Sequence, residues 1–235
     1  MKTDKEVLQS LIRQGLMTME QAKEILANKE RLLHNLVVKN KNSSQGLDDH
    51  PPTIIDVISA YGINRADKTT ERIDEDLIFQ ALAKEWDVPY RKIDPLKLNL
   101  KLVTTTVHKS FAMKNLVLPL EIMDGSLIVA VPDPSNREVL DDLKRVVQMN
   151  IKAVVSSKSD IIKYINEFFG FQRSIAAAEN QFSGPTVDLG NLEQYVKLKS
   201  MDELPSTDHH IINAVNHLFS YAFDQRASDI HIEPL

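Results

Sequence analysis

The sequence predicts a mixed α+β (α/β) protein with a helical hairpin at its start and a small ββαβα unit in its middle. Three observations support this prediction. Apolar residues recur at helical spacing in the first segment, two short apolar strands flank Asp124-Gly125, and a polar, irregular stretch separates this unit from a final amphipathic segment. The order of strands and helices across residues 117–170 predicts helices packed on a short sheet.

Residues 1–46 are predicted to form a helical hairpin that extends from the rest as an arm. Thr3 with Glu6 and Thr18 with Gln21 have the spacing of two capping boxes. Gly15 lies between them and favours a left-handed end to the first helix. Residues 47–53 are polar and end in prolines, which predicts a linker.

Residues 54–170 are predicted to be one complete α/β domain. Asp74 is placed to cap a helix between Ile73 and Ile78, and Trp86 falls on the apolar stripe of that helix. Two strands follow around Asp124-Gly125, the first marked as an edge strand by a proline. A helix capped by Asp133 and beginning at Pro134, a β-branched strand from residue 151 and a last helix ending at Gly170 complete the unit.

The remaining chain is predicted to be a flexible linker at residues 171–207 and the truncated start of a second α/β domain at residues 208–235. The second part contains an amphipathic helix followed by a short strand in which Ile230 and Ile232 share a face. A strand of this length cannot bury itself, so the 235-residue chain is expected to be a fragment.

Composition narrows the classes of function. The chain has 28 basic and 33 acidic side chains, a net charge of −5 and no cysteine. This balance argues against a general nucleic-acid binder, and the lack of cysteine excludes disulfides and thiolate metal sites. No apolar run reaches the roughly 18 residues of a membrane span, so the expected location is the cytoplasm.

The seven glycines exclude the common nucleotide-binding loops. A phosphate-binding loop needs closely spaced glycines so that backbone N–H groups can approach the anion, in the form G-x-x-x-x-G-K-[ST]. No glycine pair here has that spacing, and no G-x-G-x-x-G occurs. We therefore expect no ATP hydrolysis by this chain as given, and no cofactor in it.

The order of several short motifs resembles a family of ATPases. The segment Arg226 to Pro234, Val88-Pro89-Tyr90, and the run from Leu127 to Pro134 resemble the amino-terminal region of type II secretion traffic ATPases of the GspE type and of their PilB-like relatives in type IV pilus assembly. The resemblance covers roughly residues 54–235. The part that resembles the start of the second amino-terminal domain contains Ala227, Ser228, Asp229, His231, Glu233 and Pro234.

The resemblance implies a docking and regulatory role rather than catalysis. In this family the first domain attaches a hexameric ATPase to the cytoplasmic domain of an inner-membrane platform protein of the GspL type, and ATP and Mg²⁺ bind only in a later domain. No catalytic residues are therefore expected here, and the protein would be peripheral to the inner membrane through its partner. The candidate docking residues are Leu118, Leu120, Val129, Pro132, Asp133 and Pro134.

An alternative function is cyclic di-GMP sensing. Some family members bind this nucleotide through tandem motifs of the form Arg-Leu-Gly-x-x-Leu-Val-x-x-Gly, and the degenerate matches here are Leu11, Ile12, Gly15 and Leu16. Aligning on Gly15 and on Gly62 puts residues 6–8 and 53–55 at the Arg-Leu-Gly positions, so both arginines are missing. A forked guanidinium is the group best suited to phosphate or guanine, which places this alternative second.

Asp229, His231 and Glu233 alternate along the last predicted strand and form a candidate metal cluster. Alternation along a strand also produces an ordinary polar outer face opposite Ile230 and Ile232. We therefore predict no metal site.

Overall fold

A computed structural model describes residues 2–42, 50–181, 219, 222 and 227–231. In these ranges the secondary structure is mixed, as predicted. The elements in order are α1 (Asp4–Arg13), α2 (Met19–Asn42), α3 (Ile54–Tyr61), α4 (Glu75–Trp86), a 3₁₀ turn (Pro95–Lys97), α5 (Leu100–Thr106), α6 (Lys109–Asn115), β1 (Leu118–Met123), β2 (Ser126–Val131), α7 (Arg137–Val147), β3 (Asn150–Val155) and α8 (Lys158–Gln181).

The two capping boxes predicted in the helical hairpin are confirmed. The Thr3 backbone N–H donates to the Glu6 carboxylate at 2.6 Å, and Thr18 and Gln21 exchange the equivalent pair of bonds at 2.8 and 3.2 Å. Gly15 has a φ of +70°, the left-handed conformation that ends α1. These side chains satisfy backbone donors that a helix start leaves without intrahelical partners.

The first four helices surround one hydrophobic core. Leu11 of α1, Ile25 of α2, Ile58 of α3 and Phe79 of α4 are all buried in the same cluster, which extends to Val155 of β3. Within the predicted arm, α1 and α2 are thus packed against the helices that follow them. The reason is that each helix has one apolar side, and the four sides cover one another.

The predicted hairpin and its edge strand are confirmed. Asp124 and Gly125 have φ angles of +49° and +68°, as a two-residue type I′ turn requires, and β1 pairs antiparallel with β2. The register shifts between Pro119 and Glu121. The sheet order is β1-β2-β3, with β3 parallel to β2, so α7 forms the crossover between the two parallel strands.

The helix predicted from Pro134 begins instead at Arg137. The Asp133 carboxylate accepts hydrogen bonds from the N–H and Oγ of Ser135 at 2.9 and 2.6 Å, which forms a tight turn before the helix. Only Leu143 of α7 is fully buried, whereas Val146 is 72% exposed.

The last helix continues past Gly170, where the sequence predicts its end. α8 extends to Gln181, because the residues after Gly170 include Ala176-Ala177-Ala178, which are strong helix formers. The chain divides into one compact unit of residues 1–166 and a second of residues 167–235. In the second unit, residues 227–231 are not in a strand, and most of the predicted linker lies outside the described residues.

None of the helices in the described ranges combines the length and apolar character needed to cross a bilayer.

Candidate functional site

The candidate docking residues fall into two groups. Leu118 and Val129 are completely buried and Leu120 is 5% exposed, so their side chains belong to the hydrophobic core around the sheet. Their assignment to a docking surface is corrected, because a partner cannot contact these side chains while the sheet is intact. Pro132, Asp133 and Pro134 are half-buried and lie in the turn after β2.

The residues aligned with the cyclic di-GMP motif have structural roles in α1 and the turn after it. Leu11 is fully buried, Leu16 is 7% exposed, and Ile12 packs against the shared core. A Cβ added to Gly15 would have no atom within 4 Å, so this glycine is needed for its backbone conformation and not for close packing.

The two stretches that replace the motif's Arg-Leu-Gly positions nevertheless line one cleft. Val7, near the start of α1, and residues 53–55, at the start of α3, contribute to a cavity of about 250 Å³ together with Lys2 and Lys29. Both cations are already paired: Lys2 with Glu85 and Lys29 with Asp4. Both motif-aligned stretches therefore line this cleft, but each of its two lysines is already paired with a carboxylate.

A second cleft of about 360 Å³ lies between α2, α3, α4 and the start of α8. Its charged lining residues are Asp56, Glu75 and Lys158, with His50 and Ser59 beside them. The Lys158 side chain is 10% exposed, and its Nζ lies 3.5 Å from Asp56 Oδ2. Lys158 is thus a buried cation in the first turn of a helix, where the helix dipole disfavours positive charge.

Glu75 connects α4 to the first turn of α8. Its carboxylate accepts hydrogen bonds from the backbone N–H of Ser159 at 3.0 Å and from the Ser159 hydroxyl. Burial raises the pKa of Glu75, and the nearby carboxylates of Asp56 and Asp160 add to the increase, although the Ser159 hydrogen bonds oppose it.

Lys92 reinforces the same junction. Its Nζ lies 2.5 Å from Asp76 and 2.9 Å from Asp160, and the hydroxyl of Tyr90 donates to Asp76 at 2.7 Å. Desolvation lowers the pKa of Lys92, but the hydrogen bonds to Asp76 and Asp160 outweigh it and the pKa is raised. α4, the segment after it and α8 are therefore tied together by charge.

No sequence pattern brings Asp56, Glu75 and Lys158 together in one cleft. One signal was available for Lys158, since a lysine at the start of a helix opposes the dipole and indicates a nearby carboxylate. The partner carboxylates are about 80 to 100 residues distant along the chain, at positions 56 and 75. Their proximity results from tertiary packing, which local patterns do not encode.

The residues of the second-domain signature are described only in part. Ala227, Ser228, Asp229 and His231 are exposed, whereas Glu233 and Pro234 lie outside the described residues. Among the described residues, no group of three or more histidine, aspartate or glutamate side chains could hold a metal ion.

Comparison with known proteins finds similarity to a known domain in the middle of the chain. Residues 86–175 match the family model of the MshEN domain. The chain is 24% identical over 210 residues to the type IV pilus assembly ATPase TfpB of Acinetobacter baylyi, a match covering 89% of this chain and 35% of the relative. It is 32% identical over 174 residues to the type IV pilus assembly ATPase PilB of Myxococcus xanthus, covering 70% of this chain and 29% of the relative. The chain thus spans about a third of the length of these relatives.

Two solved structures also show similarity. MshE with cdg has a TM-score of 0.41 at 14% identity, covering 69% of this chain and 97% of that one. The amino-terminal domain of XpsE has a TM-score of 0.37 at 12% identity, covering 71% of this chain and 96% of that one.

Proposed function

We propose that this chain docks a GspE- or PilB-like ATPase onto an inner-membrane platform protein. Its residues 86–175 match the MshEN domain, and the chain is related to the amino-terminal region of such ATPases. The observation that best supports this proposal is the MshEN match, which spans the sheet and most of α8. The ATPase would drive assembly of a pilus or of the pseudopilus used in type II secretion.

In this proposal, docking belongs to this chain, and ATP hydrolysis belongs to the rest of a longer parent protein. Both curated relatives are named as ATPases and are about three times as long as the matched segment. We infer that ATP and Mg²⁺ bind outside these residues, that the parent forms a hexamer, and that it is cytoplasmic and held at the inner membrane by its platform protein.

Binding to the platform protein tests this function directly. The chain is immobilised, and the purified cytoplasmic domain of the cognate GspL-type protein is passed over it. We expect saturable binding with a dissociation constant in the micromolar range, about −8 kcal/mol, as is common for a transient interface. The absence of binding at domain concentrations far above micromolar would contradict the docking function.

A second candidate function is cyclic di-GMP sensing, favoured by the cleft that both motif-aligned stretches line. Its two lysines are paired with Glu85 and Asp4, so a nucleotide would have to displace these carboxylates. Calorimetry with cyclic di-GMP, with GMP as the control, compares the alternatives. Micromolar binding of cyclic di-GMP alone would place sensing ahead of docking.

A further inference from the structure

Most of the outer edge of β3, from residue 150 to residue 154, has no partner strand among the residues that the structure describes. β3 pairs with β2 on one side over its whole length, from Asn150 to Val155. On the other side a short extended segment, residues 89–91, pairs with the strand only at Val155. The edge from residue 150 to residue 154 is therefore open.

The hydrogen bonds at Val155 show which backbone groups of β3 point outward. The Val155 N–H donates to the Pro89 carbonyl at 2.9 Å, and the Arg91 N–H donates to the Val155 carbonyl at 2.8 Å. Since backbone groups alternate between the two sides of a strand, those of Ile151 and Ala153 also point away from β2. Neither residue has an outward backbone hydrogen bond within the described ranges.

The sequence that leads into this open edge is basic and apolar. Residues 144–152 contain Lys144, Arg145 and Lys152 and no acidic residue, in a protein with a net charge of −5. Arg145 pairs with Asp142, whereas Lys144 and Lys152 have no ionic partner in the described part of the chain. Val146, in the last turn of α7, is 72% exposed.

We propose that an extended segment of the platform protein, rich in β-branched and acidic residues, adds to the sheet alongside residues 150–154 of β3. This inference rests on the docking function proposed above and names the surface that performs it. The N–H and C=O groups of Ile151 and Ala153 would supply main-chain hydrogen bonds. Val146 would supply apolar contact, and Lys144 and Lys152 would select acidic side chains.

The edge already accepts a strand, because residues 89–91 pair with its other end in parallel orientation. A second copy of this chain fits less well. Two copies could pair their β3 strands antiparallel about a two-fold axis at the middle of residues 150–154. This pairing would bring their Lys152 residues close together, and like charges on paired strands are destabilising. An acidic segment meets the same lysines with favourable charge.

Proline substitution at Ala153 tests the edge itself. The Ala153 N–H points away from β2, so Ala153→Pro removes no bond of the existing sheet, and proline is tolerated at such edge positions. We expect binding of the purified platform cytoplasmic domain to weaken about tenfold or more, since one main-chain bond is lost and the approach is blocked. Circular dichroism checks that the variant is folded.

Two surface variants test the inference independently. Val146→Asp should also weaken binding about tenfold, by placing a negative charge where an acidic segment binds. The matched control is Ile122→Asp, because Ile122 is a 53% exposed β-branched residue on β1, the opposite edge strand. This control should bind like the unaltered chain. Hydrogen exchange in the complex should show new protection over residues 149–155.

The outcomes separate the two proposals. If the unaltered chain binds but Ala153→Pro and Val146→Asp bind equally well, the edge inference is overturned and the docking function stands. If the unaltered chain does not bind the platform domain, both fail. Protection of residues 149–155 that appears on self-association, without the platform domain, would identify a second copy as the occupant and overturn the inference.

Discussion

At the scale of single residues, Glu75 shows how tertiary packing changes the chemistry of an ordinary side chain. Its carboxylate is half-buried between α4 and α8, where it accepts two hydrogen bonds from Ser159 and faces the carboxylates of Asp56 and Asp160. Burial is the largest cause of its raised pKa. The folded protein therefore holds this proton more tightly than the unfolded chain does.

A raised pKa makes the contribution of Glu75 to stability pH-dependent. The stabilisation is fully present below the unfolded-state pKa, about 4.3 for glutamate, and is lost as the pH rises through the higher folded-state value. We expect Glu75→Gln to remove this loss, so that the variant gains stability relative to the unaltered chain as the pH rises from about 4 to 7. Urea denaturation across this range measures the difference.

The control for this prediction is Glu20→Gln, because Glu20 is exposed in the first turn of α2. Subtracting the two variants' pH profiles from that of the unaltered chain isolates Glu75 from the other carboxylates. A difference that stays constant between pH 4 and 7 would contradict the raised pKa.

Gly15 illustrates a different residue-level constraint, set by the backbone alone. Its φ of +70° is strained for a residue with a Cβ, although there is open space around it. We expect Gly15→Ala to lower the free energy of unfolding by about 1 kcal/mol. Gly15→Asn should cost less, since asparagine tolerates the left-handed region better. Equal losses in chemical denaturation would show that steric contact, not backbone conformation, determines the cost.

At the scale of elements, α7 is held by few side chains. Leu143 is its fully buried residue, and Val146 points largely into solvent. We expect Leu143→Ala to destabilise the protein by about 3 kcal/mol through lost burial and the cavity left behind. Val146→Ala should change the unfolding free energy by less than about 0.5 kcal/mol. Thermal or urea unfolding of the pair measures both values, and similar losses would contradict the observed packing.

The elements that could be predicted from sequence are those whose signals are local. Thr3 with Glu6 and Asp124-Gly125 act within a few residues of themselves, so the caps and the hairpin are visible in the sequence. α5 and α6 have seven residues each, too few to establish a helical period. The start of α7 was predicted wrongly because Asp133 bonds Ser135 instead of capping a helix at Pro134.

The candidate site was harder to predict than the elements. The resemblance to a family points to Leu118, Leu120 and Val129 as docking residues, but β2 and the first half of β1 are buried on both faces, which puts these side chains out of a partner's reach. The open backbone groups of Ile151 and Ala153 depend on which strand lies beside β3 and how far it extends. Sequence periodicity does not determine strand order, so this edge could be found only in the structure.

At the scale of the whole molecule, the shared core couples the first helices to those that follow. Leu11 of α1 and Phe79 of α4 belong to one buried cluster, and Trp86, the single tryptophan, packs against it. Lys2 lies 5.7 Å from the centre of the Trp86 ring. A probe in α4 therefore reports on the state of α1.

This coupling predicts one cooperative unfolding transition for residues 1–166. We expect Leu11→Ala to cost about 3 kcal/mol and to shift the Trp86 fluorescence transition and the far-ultraviolet circular dichroism transition of this unit by the same amount. The control is Leu26→Ala, because Leu26 of α2 is 41% exposed and should shift neither by much. Separate midpoints for the two probes would support an independently unfolding arm.

The two connections of β2 also differ in how far the chain must travel. β1 and β2 meet across Asp124 and Gly125, whereas β3 joins β2 only after the whole of α7. Short loops close at a lower entropic cost, and hairpins form within microseconds. We expect β3 to be the last strand added as the chain emerges from the ribosome. Until then β2, whose sequence is Ser-Leu-Ile-Val-Ala-Val, has an unpaired edge, so the central strand of the finished sheet is an aggregation hazard in the nascent chain.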